Sequence, residues 1–201
     1  MFVRTRMKNV LYPKIALKLL PAMLGYTVVG GLLAGIYGIG HDQITYTISP
    51  EYFTNLKFDQ FYYADLGFSD RGFVAEIGFL ATWWVGFFAA WFIARMTVPA
   101  FSRAEAFRLA LRSFGIVLAV AVAGAVAGWL LGVLHDSDYS KWEPLTSLLQ
   151  VSDVRSFVCV AYIHNAGYLG GLAGLIAALF AIWRRKQALI PKARGAEGDH
   201  W

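Results

Sequence analysis

The chain has 201 residues, 58% of them hydrophobic and 15% charged, with a formal net charge of +5 and a mean hydropathy of +0.52. That balance is too apolar for a soluble globular domain and points to an integral membrane protein built as one domain, residues 1–201. The single cysteine, Cys159, excludes an intrachain disulfide and any cysteine-rich metal centre, and reads as a small packing residue.

A basic arm leads into the first apolar run, residues 19–40, which is long enough to cross a bilayer core of about 30 Å. It is longer than a signal-peptide core and three more spans follow it, so it reads as a retained anchor. The next stretch, "HDQITYTI", alternates Ile44, Tyr46 and Ile48 with Gln43, Thr45 and Thr47, which predicts an extended segment on a half-buried surface. "SPEYFTNLKFDQFYYADLG" then predicts a helix over residues 50–66: Ser49 is placed to cap it, Pro50 suits its first position, Glu51 favours its positive end and Gly67 can stop it. Its aromatics, Tyr52, Phe53, Phe58, Phe61, Tyr62 and Tyr63, spread too widely for a soluble amphipathic helix and fit an interfacial segment or a cap on the bundle.

The second span covers residues 74–94, with Glu76 at its mouth and a bulky run of Trp83, Trp84, Phe87, Phe88, Trp91 and Phe92. Ser102 and Glu105 form a capping box that starts the third helix ahead of its span, 113–134. The fourth pattern runs from a cap at Ser152 through a span at 157–183 to the basic stop Arg184, Arg185, Lys186. The fold class is therefore all-α: a polytopic four-helix transmembrane bundle with a short extracytoplasmic helix between its first two spans.

Charge sets the orientation. Arg4, Arg6, Lys8, Lys14 and Lys18 in the arm, Arg95, Arg103, Arg108 and Arg112 around the second connection, and Arg184, Arg185, Lys186, Lys192 and Arg194 in the tail place those three segments in the cytoplasm. The other two connections are acidic and face outward. Because the basic residues are split among three membrane-flanking segments, the positive balance marks topology, and no nucleic-acid partner is expected. Four-residue glycine spacings at Gly31/Gly35, Gly124/Gly128/Gly132, Gly167/Gly171 and Gly170/Gly174 predict close packing among spans one, three and four, with the aromatic second span as a bulky partner or lipid-facing helix.

Candidate chemistry gathers at one height. Counting helical rise from the inner interface puts Glu76 and His164 each roughly 28 Å away, at the outer rim of the hydrocarbon, and His41 and His135 end the first and third spans at a similar height. Three imidazoles and a carboxylate at the mouth of a bundle can hold a transition metal such as zinc, iron or copper. Asp42, Asp136 and Asn165, each next to a histidine, can orient the rings as outer partners. The first and third spans even end alike, in "GIGHD" and "GVLHD". The bland alternative is that histidines at helix ends meet water at little cost and Glu76 only caps. His164 and Asn165 resist that reading more, because apolar residues flank both, and polar groups in such segments face other helices or a wet cavity. His200 lies in the polar tail and takes no role.

Three function classes stay open. One is a metal- or proton-handling site, where hydrolysis would also need a base such as Glu76 or Glu51. A second is haem b ligation by two of His41, His135 and His164. A third is a non-catalytic subunit that binds another membrane protein, or its own copies, in the lipid bilayer. Transport by a monomer is disfavoured, since no charged residue occupies the middle of a span. "HDQITYTISPEYF" followed by "HNAGYLGGLAGL" resembles signatures shared by a group of uncharacterised bacterial four-span inner-membrane proteins. That resemblance implies a four-span inner-membrane protein with both signatures on the periplasmic side, and implies no activity. Phosphate-binding glycine loops, HExxH and GxSxG are absent from the sequence.

Overall fold

The computed structural model describes residues 15–135 and 138–189. Four long helices dominate: α1 (Leu20–Ile48), α2 (Asp70–Thr97), α3 (Arg103–Val133) and α4 (Val154–Gln187), with no strand among the described residues. Each is long and apolar enough to cross a membrane, so the chain is an all-α, multi-pass bundle. Asp136 and His200 lie outside the described residues.

The stretch 41–48 is helical, which corrects the extended segment expected from its alternation. Six alternating residues also fit two helical turns, and no neighbouring strand offers a ladder. Thr45 and Thr47 satisfy their hydroxyls by donating to the carbonyls of His41 (3.2 Å) and Gln43 (2.9 Å) one turn back. The helix stops where proline forces it to: Ser49, before Pro50, turns extended at φ −141° and ψ 97°. Ser49 occupies the cap position of the next segment without a capping bond from its side chain.

That segment is helical over Pro50–Tyr52, widens to a π turn over Phe53–Lys57, returns to α over Phe58–Phe61 and tightens to a 3-10 turn at Tyr62–Ala64. Its first half caps the bundle. Tyr52 and Phe53 are buried and pack with Val74, Phe157, Val160 and Ala161. Its second half presents Tyr62 and Tyr63, together with Leu66 and Phe68, to the surroundings. Gly67, at φ +80°, supplies the left-handed turn that redirects the chain into α2.

The other caps match the sequence in part. Ser102 Oγ accepts from the Glu105 amide at 3.4 Å. The Glu105 carboxylate does not return the bond and instead takes Nη2 of Arg185 at 3.1 Å. Asp153, and not Ser152, caps α4 by accepting from the Ser156 amide at 3.1 Å.

Packing divides the bundle into two hairpins, α1 with α2 and α3 with α4. In the first, Gly30, Gly31, Gly35 and Gly38 lie against Ala90, the Trp83 carbonyl, Phe79 and the Gly78 carbonyl. Thr82 adds a hydrogen bond to the Ala34 carbonyl at 2.8 Å. In the second, Gly124, Gly128 and Gly132 meet Ala166, Tyr162 and Cys159, while Gly170 and Gly174 meet Val120 and Val117. The glycines of span one therefore face span two, which corrects the expected grouping of spans one, three and four. The missed signal is Gly78 and Gly86, which give α2 a smooth face among its rings while Trp84, Phe88 and Phe92 turn outward. Cys159 packs as expected, buried against Gly132. The hairpins meet through two clusters, one around Tyr52, Phe53 and Phe157 and the other around Ile93, Ala110 and Ile182 at the arginine-rich end.

Candidate metal centre

The last turns of α1 bring three polar residues onto the seam between the hairpins. His41 is half-buried, Asp42 is 4% exposed and Thr45 is 1% exposed. Residues three and four apart share a helix face, so Thr45 stands directly beyond the His41–Asp42 pair. Opposite them, α4 contributes His164, 3% exposed. The imidazoles of His41 and His164 meet edge to face, with centroids 4.9 Å apart and planes at 80°. His164 Nε2 lies 3.3 Å from Thr45 Oγ1 and 3.9 Å from Asp42 Oδ1. Donor atoms of His41, Asp42 and His164 all fall within 4.8 Å of one another.

An aromatic wall closes the group. Tyr52 stacks on His164 with centroids 5.0 Å apart, Phe53 approaches edge-on at 6.2 Å, and Tyr168, one turn along α4, stands at 6.1 Å. Tyr37 Oη sits 3.4 Å from Nδ1 of His41. Burial pushes the Tyr52 phenol well above its ordinary value, so it stays protonated at neutral pH. Half-buried Lys57 places Nζ 5.8 Å over the Tyr52 ring. Burial lowers the affinity of the Lys57 amine for its proton, and the negative charge of Asp42 acts in the opposite direction.

The four-residue constellation read from helix heights is therefore regrouped. His41 and His164 come together, and Asp42 joins them as a donor where it had been expected in an outer role. Among the described residues the group contains neither Glu76 nor His135. Glu76 Oε2 accepts from the Leu66 amide at 3.3 Å and so ties the connecting segment to α2. His135 follows the end of α3 and rests against Tyr139 and Tyr162, at 5.2 and 5.6 Å between centroids. Equal height did not bring these residues together, because height fixes nothing about rotation around each helix axis. Asn165 is exposed, about 100° around α4 from His164, and does not serve as the expected outer partner. Glu51, weighed as a base, has both carboxylate oxygens engaged by the amides of Ser152 and Asp153, at 2.8 to 3.1 Å.

Chemically, two imidazoles and one carboxylate form a donor set suited to zinc or iron, with coordination positions left for water or substrate. Tetrahedral bonds of about 2.0–2.2 Å set donors about 3.3–3.6 Å apart, so an ion would require the most separated donors to close by about an ångström. Haem fits poorly: the two rings touch edge to face and leave no slot for a flat macrocycle between them. Comparison of the chain with family models, with curated proteins and with solved structures gave no match.

Proposed function

We propose that the chain is a multi-pass protein of the bacterial inner membrane that binds one divalent transition-metal ion through His41, Asp42 and His164 at the periplasmic end of its bundle. The observation that carries this reading is the convergence of three donors from two separate hairpins within 4.8 Å, with Asp42 and His164 almost fully buried. A buried carboxylate is costly unless a cation or a set of hydrogen bonds compensates it, and a metal ion does so while also engaging both rings. Purified protein titrated with zinc or cobalt is expected to take up one equivalent, and an absorption spectrum without a haem Soret band is expected alongside it. Failure to bind either ion at micromolar concentrations removes the reading.

One observation favours a second reading, in which the same residues fix helix packing. The Thr45 hydroxyl proton is directed to the carbonyls of His41 and Asp42, at 3.2 and 3.3 Å, so its oxygen is free to accept from His164 Nε2–H. On that reading Thr45→Val weakens the fold by about 1–3 kcal/mol through an unpaired buried imidazole. On the metal reading the fold of the zinc-loaded protein is indifferent to the change, because the ion satisfies the ring.

The proposed orientation rests on the arginine and lysine distribution and gives its own expected result. In a background carrying Cys159→Ala, a cysteine placed at Gly198 should resist an impermeant maleimide in intact cells, whereas cysteines at Asp59 and Asp138 should react. Labelling of the Gly198 site without permeabilisation reverses the assignment.

A further inference from the structure

The π turn of the connecting segment has a specific effect on Lys57. In an α-helix, residues five apart differ by about 140° around the axis, so a lysine at 57 would turn away from a tyrosine at 52. The wider turn, closed by the Phe58 amide on the Phe53 carbonyl, rotates less per residue and carries Lys57 over the Tyr52 ring, Nζ 5.8 Å from its centroid. Tyr52 is itself stacked on His164. The lysine is thus held in a line of ammonium, phenol and imidazole that ends at the three donors. Its position is anchored on both sides: Phe53 is fully buried in the cluster below, and Glu51 clamps the amides that open α4. One of its three donors goes to Gln60 Oε1 at 3.2 Å.

Other cations near this end have different work. Arg71 is exposed and bonds Gln43 and Thr47, Arg155 is exposed in the first turn of α4, and Lys141 lines an open cleft with His135 and Tyr162. Lys57 is the half-buried cation that lies over the ring stacked on His164.

We propose that Lys57 is a cation tethered beside the site across the Tyr52 ring, so that an entering metal ion meets a resident positive charge and Lys57 sets the affinity of the site. This rests on the metal reading given above. A dication at the three donors and an ammonium on the far side of the Tyr52 ring repel each other in a medium that screens poorly, so the resident charge weakens binding of the ion. The effect favours strongly coordinated transition metals, whose bonds to imidazole outlast the repulsion, over magnesium or calcium, which would be held by the carboxylate alone.

The test is a cobalt titration of the full-length protein in detergent, followed by its visible absorption bands, in wild type, Lys57→Met, Lys57→Gln and Lys57→Arg. Removal of the charge in the Met and Gln variants should tighten cobalt binding by about tenfold or more, and the Arg variant should stay within about threefold of wild type. Equal cobalt affinity in wild type and both neutral variants leaves the metal reading standing and removes the role of Lys57. Weaker binding in the neutral variants overturns the proposal as well, because it makes Lys57 a support of the loaded site. No cobalt binding in any of the four proteins removes the metal reading, and this proposal falls with it.

Discussion

His164→Ala and Asp42→Asn are each expected to weaken zinc or cobalt binding by more than about 100-fold, since loss of a direct ligand exceeds the 10–100-fold that outer partners cost. His135→Ala and Glu76→Gln are expected to leave the affinity unchanged within about twofold, although all four residues sit at one height by helix count. The contrast follows from rotation around the helices: Asp42 and His164 share the seam, whereas His135 faces Tyr139 and Tyr162 and Glu76 holds the Leu66 amide. Isothermal titration of the four variants checks it, with circular dichroism to verify that each is helical. Asp42→Asn is the more decisive change, because it keeps the side-chain volume and removes only the charge and one acceptor. An unchanged affinity in that variant would discard Asp42 as a ligand.

The second large effect concerns the first hairpin. Gly38→Leu is expected to lower the melting temperature in detergent by about 2–12 °C, since an over-packed contact costs roughly 1–3 kcal/mol and this one meets backbone. A side chain at Gly38 runs into the Gly78 carbonyl and the Thr82 hydroxyl, neither of which can swing aside without parting the helices. Gly25→Leu is the matched control on the same helix, where an added Cβ meets nothing within 4 Å. Its melting temperature should equal or exceed that of wild type, because leucine is the better helix former. Equal losses in both variants would mean that glycine at 38 matters for some reason other than helix contact.

The four spans were legible because length and hydropathy alone demand them, and the helix starts were legible where a side chain with one purpose occupies the cap, as Ser102 does. The end of α1 was misread for a physical reason. Alternation over 41–48 describes the side chains, but what decides helix against strand there is the backbone, which continues its ladder until Pro50 withdraws an amide. Helix pairing was half legible: the glycines of α3 and α4 point at each other as expected, while those of α1 chose the helix whose aromatics hid two glycines of its own. His164 was singled out correctly as a residue that must find a partner. Asp42 was read as an outer partner because it adjoins His41 in the chain. Both His41 and Asp42 nevertheless bring a donor atom within 4.8 Å of His164, on the seam that α4 approaches. The contribution of Lys57 had no signal in the sequence, since a π turn leaves no pattern to read.

The division into two hairpins also fixes an order of events during synthesis. Each hairpin closes from contacts between neighbouring helices, so α1 and α2 can pack as soon as both have left the ribosome, and the glycine faces need nothing that comes later. His41 and Asp42 are then already aligned, about two turns before Ser49, but without their partner. His164 arrives with the last helix, more than a hundred residues on. Until then the two polar side chains lack His164, and the candidate metal centre is completed only with the last helix. Nascent chains stalled before α4 should therefore resist protease within the first hairpin and yet retain no cobalt.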